Sequence, residues 1–208
     1  KSPFIGAGNT TTISYSAQTA NDNYVVRLRR SQYIEFLDVF FTTEAITNSN
    51  IVVLDGFAKN VEFRNCRFIA PIDISGSGKT SILADSNSGI ENLEIFGGTF
   101  TGNGIGASLY GSDILIHYNI FEDNSQGISL NQTVNPVIEG NHFINIGSQA
   151  ISTNGHTAGT ISKNKIFGSR QGIIISNGIQ GETRTLIANN LIHLIGSSAN
   201  NGIWISGN

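Results

Sequence analysis

Apolar and polar residues alternate along this chain with a period of two, in short runs that recur. One phrase comes back repeatedly. It is an apolar strand, a turn with Asn or Gly, a large apolar residue, then a further strand that often opens with Gly. Residues 61–68, 93–100, 114–121, 137–143, 161–166 and 186–192 carry it. The closing apolar residues are Phe68, Phe100, Phe121, Phe143, Ile166 and Ile192, spaced 32, 21, 22, 23 and 26 positions apart. Such irregular spacing describes a solenoid whose coils share a core and carry loops of unequal length. The period and the β-branched and aromatic residues at the apolar positions predict strands. No long stretch has helical periodicity, so the expected class is all-β.

Each coil is expected to contribute three short strands, paired in parallel with those of the next coil. Phe36, Phe63, Ile95, Ile116, Ile138, Ile161 and Ile187 should form one inward ladder on the middle strand. Phe41, Phe68, Phe100, Phe121, Phe143, Ile166 and Ile192 should form the next. The strand that opens with Gly-Ile supplies two more, running from Val26 to Ile203 and from Leu28 to Ile205. Asn119, Asn141 and Asn164 recur at the bend after the middle strand. They are expected to tolerate left-handed backbone there and to form a side-chain hydrogen-bond ladder.

Composition narrows the function classes. Only 13% of the 208 residues are charged, 24 are Gly, and the net charge is −3. That balance lacks the basic stripe of a nucleic-acid-binding protein. No apolar run is long enough to span a membrane. A single Cys66 excludes an internal disulfide, and its place in the turn column predicts a structural thiol. The chain has no Met, begins Lys1-Ser-Pro and stops just after a strand. Residues 1–208 are therefore expected to be one solenoid domain and a segment of a longer protein.

The phrases Asn119-Ile-Phe121, Asn141-His-Phe143 and Gly127-Ile-Ser-Leu130 resemble the right-handed parallel β-helix repeat of the pectate-lyase-like superfamily. The opening residues, 4–13, resemble the first coil of many such proteins. The resemblance covers nearly the whole chain and implies a right-handed, three-sheet parallel β-helix of about eight coils. Its members include polysaccharide lyases and hydrolases, epimerases, phage tailspikes and bacterial surface adhesins, so fold alone does not choose a function.

In these relatives the ligand groove runs along the sheet built by the Gly-Ile strand. Its outward residues here fall in two rows. One is Arg27, Val53, Leu83, Ser108, Ser129, Ser152, Ile174 and Trp204; the other is Arg29, Asp55, Asp85, Tyr110, Asn131, Asn154, Ser176 and Ser206. Asp55 and Asp85 fall on neighbouring coils, with Arg29 and Tyr110 beside them. Close carboxylates can separate in pKa into an acid and a base, or can hold a calcium ion. They can equally form ion pairs with Arg29, Arg30 or Lys79, or cap turns. Apart from calcium, no cofactor or metal is expected. Farther along, Ser129, Asn131, Ser152 and Asn154 offer hydroxyls and amides to sugar hydroxyls, and Trp204 and Tyr110 offer rings for stacking.

Other motifs fail on inspection. Gly76-Ser-Gly-Lys-Thr80 lacks the earlier Gly of a phosphate loop, where Asp73 stands, and no helix follows. The polygalacturonase and alginate-epimerase motifs are absent; Asn154-Gly-His156 is a fragment of one. His117, Glu139 and Ser162 share an outward row of the middle strand without an oxyanion hole, which predicts a surface His–Glu contact. Asn9 and Asn131 head glycosylation sequons that matter only in a eukaryotic secretory host. Leu115, Val137 and Leu186, with Phe96 beside them, form an outward apolar row that homotrimeric packing or further parts of the parent chain would bury.

These residues together predict an extracellular, cell-surface or virion module that binds polysaccharide along the Gly-Ile face. The alternatives are a lyase or glycoside hydrolase using Asp55 and Asp85, and a stalk that only spaces other domains.

Overall fold

The computed structural model describes residues 2–5, 11–15, 24–43, 50–70, 80–86, 88–156, 158–176, 184–195 and 201–207. Their regular structure is strand throughout, in three eight-stranded sheets. The middle sheet runs from Ser2–Ile5 to Thr185–Ala188. The Phe sheet runs from Thr11–Tyr15 to Leu191–Leu194. The Gly-Ile sheet runs from Tyr24–Arg29 to Ile203–Ile205. Every strand pairs in parallel with its equivalent one coil away, which builds a right-handed three-sheet β-helix of eight coils. Coils are numbered here by their Gly-Ile strands.

The core lies where the three inward faces meet. All four expected ladders form in the expected register. Phe36 pairs with Phe63, and Ile116 with Ile138. Phe100 pairs with Phe121, and Ile128 with Ile151. Phe41, Phe68, Phe100, Phe121 and Phe143 are fully buried. Their rings stack with centroids 5.0, 4.6, 4.6 and 5.0 Å apart and planes within 11° of parallel. The strand spacing of about 4.8 Å thus becomes the ring spacing.

The Asn ladder also forms. Asn119 Nδ2 donates to Asn141 Oδ1 at 3.0 Å, Asn141 to Asn164 at 3.1 Å, and Asn164 to Asn190 at 3.0 Å. Each amide also donates to a backbone carbonyl of the preceding coil, as Asn141 does to Ile116. One expectation is corrected: these Asn are not the left-handed residues. The residue before each rung bends instead, in a column of Asn65, Gly97, Tyr118, Gly140, Lys163 and Asn189 with φ from +53° to +66°. A rung must aim its side chain inward and keep both amide ends bonded, so the reversal falls to its neighbour.

Cys66 stands one rung before Gly98 and behaves as a rung. Its thiol lies 3.5 Å from the carbonyls of Phe36 and Arg64, the same two bonds an Asn amide makes. Burial pushes its pKa up to about 11. A second, shorter ladder lies at the next bend, where Asn103 Nδ2 donates to Asn124 Oδ1 at 3.1 Å.

Candidate functional site

The Gly-Ile sheet presents both outward rows in the expected order. Arg27 pairs with Val53, Ser108 with Ser129, Ser129 with Ser152, and Ile174 with Trp204. Asn131 pairs with Asn154, and Asn154 with Ser176. Inward apolar residues anchor the strands up to Gln171–Ser176, so their outward side chains are held on a rigid sheet; on the last strand the expected inward Ile203 and Ile205 are instead 49% and 62% exposed.

At the N-terminal end, Asp55 and Asp85 follow the paired residues Leu54 and Ala84 on adjacent coils. Their side chains turn to different partners. Asp55 Oδ2 accepts from Nε of Arg27 at 2.7 Å and from its Nη2, while its Oδ1 lies 3.9 Å from Arg29 Nε. The leading role of Arg27 was not anticipated. It belongs to the neighbouring row, and its long side chain reaches the diagonal position one coil on. The bond to Asp55 holds the Arg27 guanidinium above its ordinary pKa. Asp85 Oδ1 accepts from Ser88 Oγ at 2.9 Å, and its carbonyl accepts from Ser88 N at 2.9 Å, closing a turn. Tyr110 is half-buried at the end of the next strand. Among the described residues, no three His, Cys, Asp or Glu side chains converge as a metal site.

Over coils 4 to 6 the face is uncharged. Ser108, Ser129, Ser152 and Asn131 are half-buried and Asn154 is exposed. Asn131 Nδ2 donates to Ser129 Oγ at 3.3 Å, joining the two rows. Then Ile174 interrupts the row, 4% exposed, and Trp204 follows at 48%. This arrangement can donate and accept hydrogen bonds along the solenoid axis and end on an aromatic ring. Among the described residues of its two rows, the carboxylates are Asp55 and Asp85.

The middle sheet holds a cluster that the sequence reading missed. Glu35, Glu62 and Glu94 are register partners on three successive coils. Arg64 contacts all three, at 3.6, 3.1 and 3.0 Å. Its pKa is raised, chiefly by the hydrogen bond to Glu62. Glu94 also takes His117 Nε2 at 2.9 Å, and Phe96 packs on the His117 ring at 4.8 Å. The expected His117–Glu139 contact is therefore corrected: Glu139 bonds Lys163 at 2.7 Å instead. The signal was available, since each Glu directly precedes an inward ladder residue. Stacked like charges are costly, and Arg64 offsets them here.

His156 is no part of the face. It is 1% exposed, its Nε2 lies 2.6 Å from Thr185 Oγ1, and burial lowers its pKa. In the apolar row, Leu115 and Val137 are half-buried, Thr160 intervenes, and Leu186 is 56% exposed. Lys79, Asp73 and Asn9 lie outside the described residues.

Residues 4–208 match the family model described as the right handed beta helix region. No curated protein and no solved structure matches the chain.

Proposed function

The chain belongs to the right-handed beta helix family, and from that premise we propose that it is an extracellular surface or virion module binding polysaccharide along its Gly-Ile face. The observation that carries this reading is the stacked Ser108, Ser129 and Ser152 row. It is joined by Asn131 and Asn154 and held in register on three successive coils. Each hydrogen bond contributes about 0.5–1.5 kcal/mol net. A single sugar therefore binds weakly, and a polymer lying along the axis gains a similar increment from each coil it covers. Trp204 supplies stacking area at one end.

The test is a glycan array, followed by titration of oligomers of increasing length. Affinity should rise with length over the neutral coils and should fall in a Ser129→Ala/Asn131→Ala/Ser152→Ala variant. Tight binding of a monosaccharide would contradict an extended face. Depolymerisation of a glycan, lost in both Asp55→Asn and Asp85→Asn with an unchanged melt, would replace this reading with the lyase or hydrolase. A melting temperature lowered by a chelator would implicate calcium. Neither binding nor turnover on any glycan would leave the stalk.

A further inference from the structure

We infer that the glycan taken by this face is sparsely acidic: a heteropolysaccharide whose carboxylate-bearing sugars are separated by several neutral ones, with one acid seated at the first coils. This rests on the glycan-binding reading above and refines it. Arg27, Arg29 and Arg30 crowd the N-terminal end of the face. Arg27 and Arg29 share the Asp55 carboxylate, and the Arg29 side chain is 66% exposed. A Cβ placed on Gly56 would stand 3.3 Å from the Cγ of both Arg29 and Arg30, so both side chains flank that glycine. The Arg27 guanidinium lies 5.6 Å from the Tyr24 ring centroid. Guanidinium forks match carboxylates in charge and geometry.

Among the described residues of the two rows, no further cation follows. Asp85, exposed on coil 3, disfavours a second anion there. Coils 4 to 6 offer only the hydroxyls and amides described above. At about 4.8 Å per coil, the arginines stand about 14 Å before the neutral window. A polymer charged at every sugar would set its other carboxylates against neutral groups that cannot compensate their desolvation. A wholly neutral polymer would forgo the charge-assisted hydrogen bonds that the arginines offer a carboxylate.

The experiment titrates the protein with three probes. The first is oligosaccharides of gellan, a linear polymer with sparse uronates. The second is the same oligosaccharides after carboxyl reduction. The third is oligogalacturonate, with a uronate at every position. Gellan oligomers should bind about tenfold tighter than their reduced forms at low salt, an advantage that shrinks as salt rises. An R29Q/R30Q variant with an unchanged melt should bind native gellan no better than the wild type binds the reduced form. Equal affinity for native and reduced oligomers, or tightest binding of oligogalacturonate, would overturn the inference and leave glycan binding standing. No binding of any of the three would overturn the inference, while binding of some other glycan on the array would leave the glycan-binding reading standing.

Discussion

At the residue scale, two side chains show how the coils are tied. The Cys66 thiol takes the place of an Asn amide and is 1% exposed. Its pKa is raised by burial to about 11 from 9.0. The folded state therefore holds the thiol proton more tightly than the unfolded chain does. That stabilisation is complete below about pH 9 and is lost as pH climbs toward 11, a loss of about 2–3 kcal/mol. Denaturant melts at pH 8 and at pH 10.5–11 should show the extra alkaline loss in the wild type and its absence in Cys66→Ser. Equal alkaline losses in both proteins would show that the thiol is not held this way. Asn141 is wholly buried and bonded at both ends of its amide. Asn141→Ala leaves the Asn119 backbone N–H without its acceptor and the Asn119 amide with only the Ile95 and His117 carbonyls, and should cost about 1–3 kcal/mol. Asn190 ends the ladder among the described residues and is half-buried, so Asn190→Ala should cost clearly less in the same melts.

At the element scale, Gly106 and Gly127 near the start of two Gly-Ile strands fit the Phe121 and Phe143 rings of the next coil as one device. A Cβ on Gly106 would stand 2.6 Å from the Phe121 ring, and one on Gly127 2.7 Å from the Phe143 ring. Each ring lies against bare backbone one coil earlier. Where the Phe column gives way to Ile166, the opening residue becomes Ala150. Both are fully buried. Gly127→Ala, whose Cβ would also stand 2.3 Å from the Ala150 carbonyl oxygen, should therefore destabilise by about 1–3 kcal/mol through overpacking. Ile166→Phe should cost a similar amount alone, and Ala150→Gly should restore much of it. A double-mutant cycle on thermal or urea melts measures that coupling. Simple additivity would show that the ring does not meet the strand opening.

At the scale of the whole molecule, each coil stacks only on its neighbours, so stability should vary along the axis. Phe143→Ala in the sixth coil's stack should cost about 3–5 kcal/mol. Ile192→Ala, at a half-buried position near the last coil, should cost less. Amide hydrogen exchange should show strongest protection over residues 93–131 and weakest over the last coil. Uniform protection would mean that the solenoid opens only as one unit. The repeat, the three-strand coil, the inward ladders and both outward rows of the Gly-Ile face were legible in the sequence. They follow from strict two-residue alternation: once one strand is phased by its buried Phe or Ile, every neighbouring residue's face is decided. The Asn ladder was legible because identical residues at one bend must stack. What the sequence could not decide is which side chains reach across coils. Arg27 meets Asp55 on a diagonal, Glu94 takes His117 from Glu139, and Asp85 turns to Ser88. Nor could it decide which residue of a bend is left-handed. Those choices depend on side-chain reach and on competition among partners a few ångströms apart. Only the stacked coils in three dimensions set those distances.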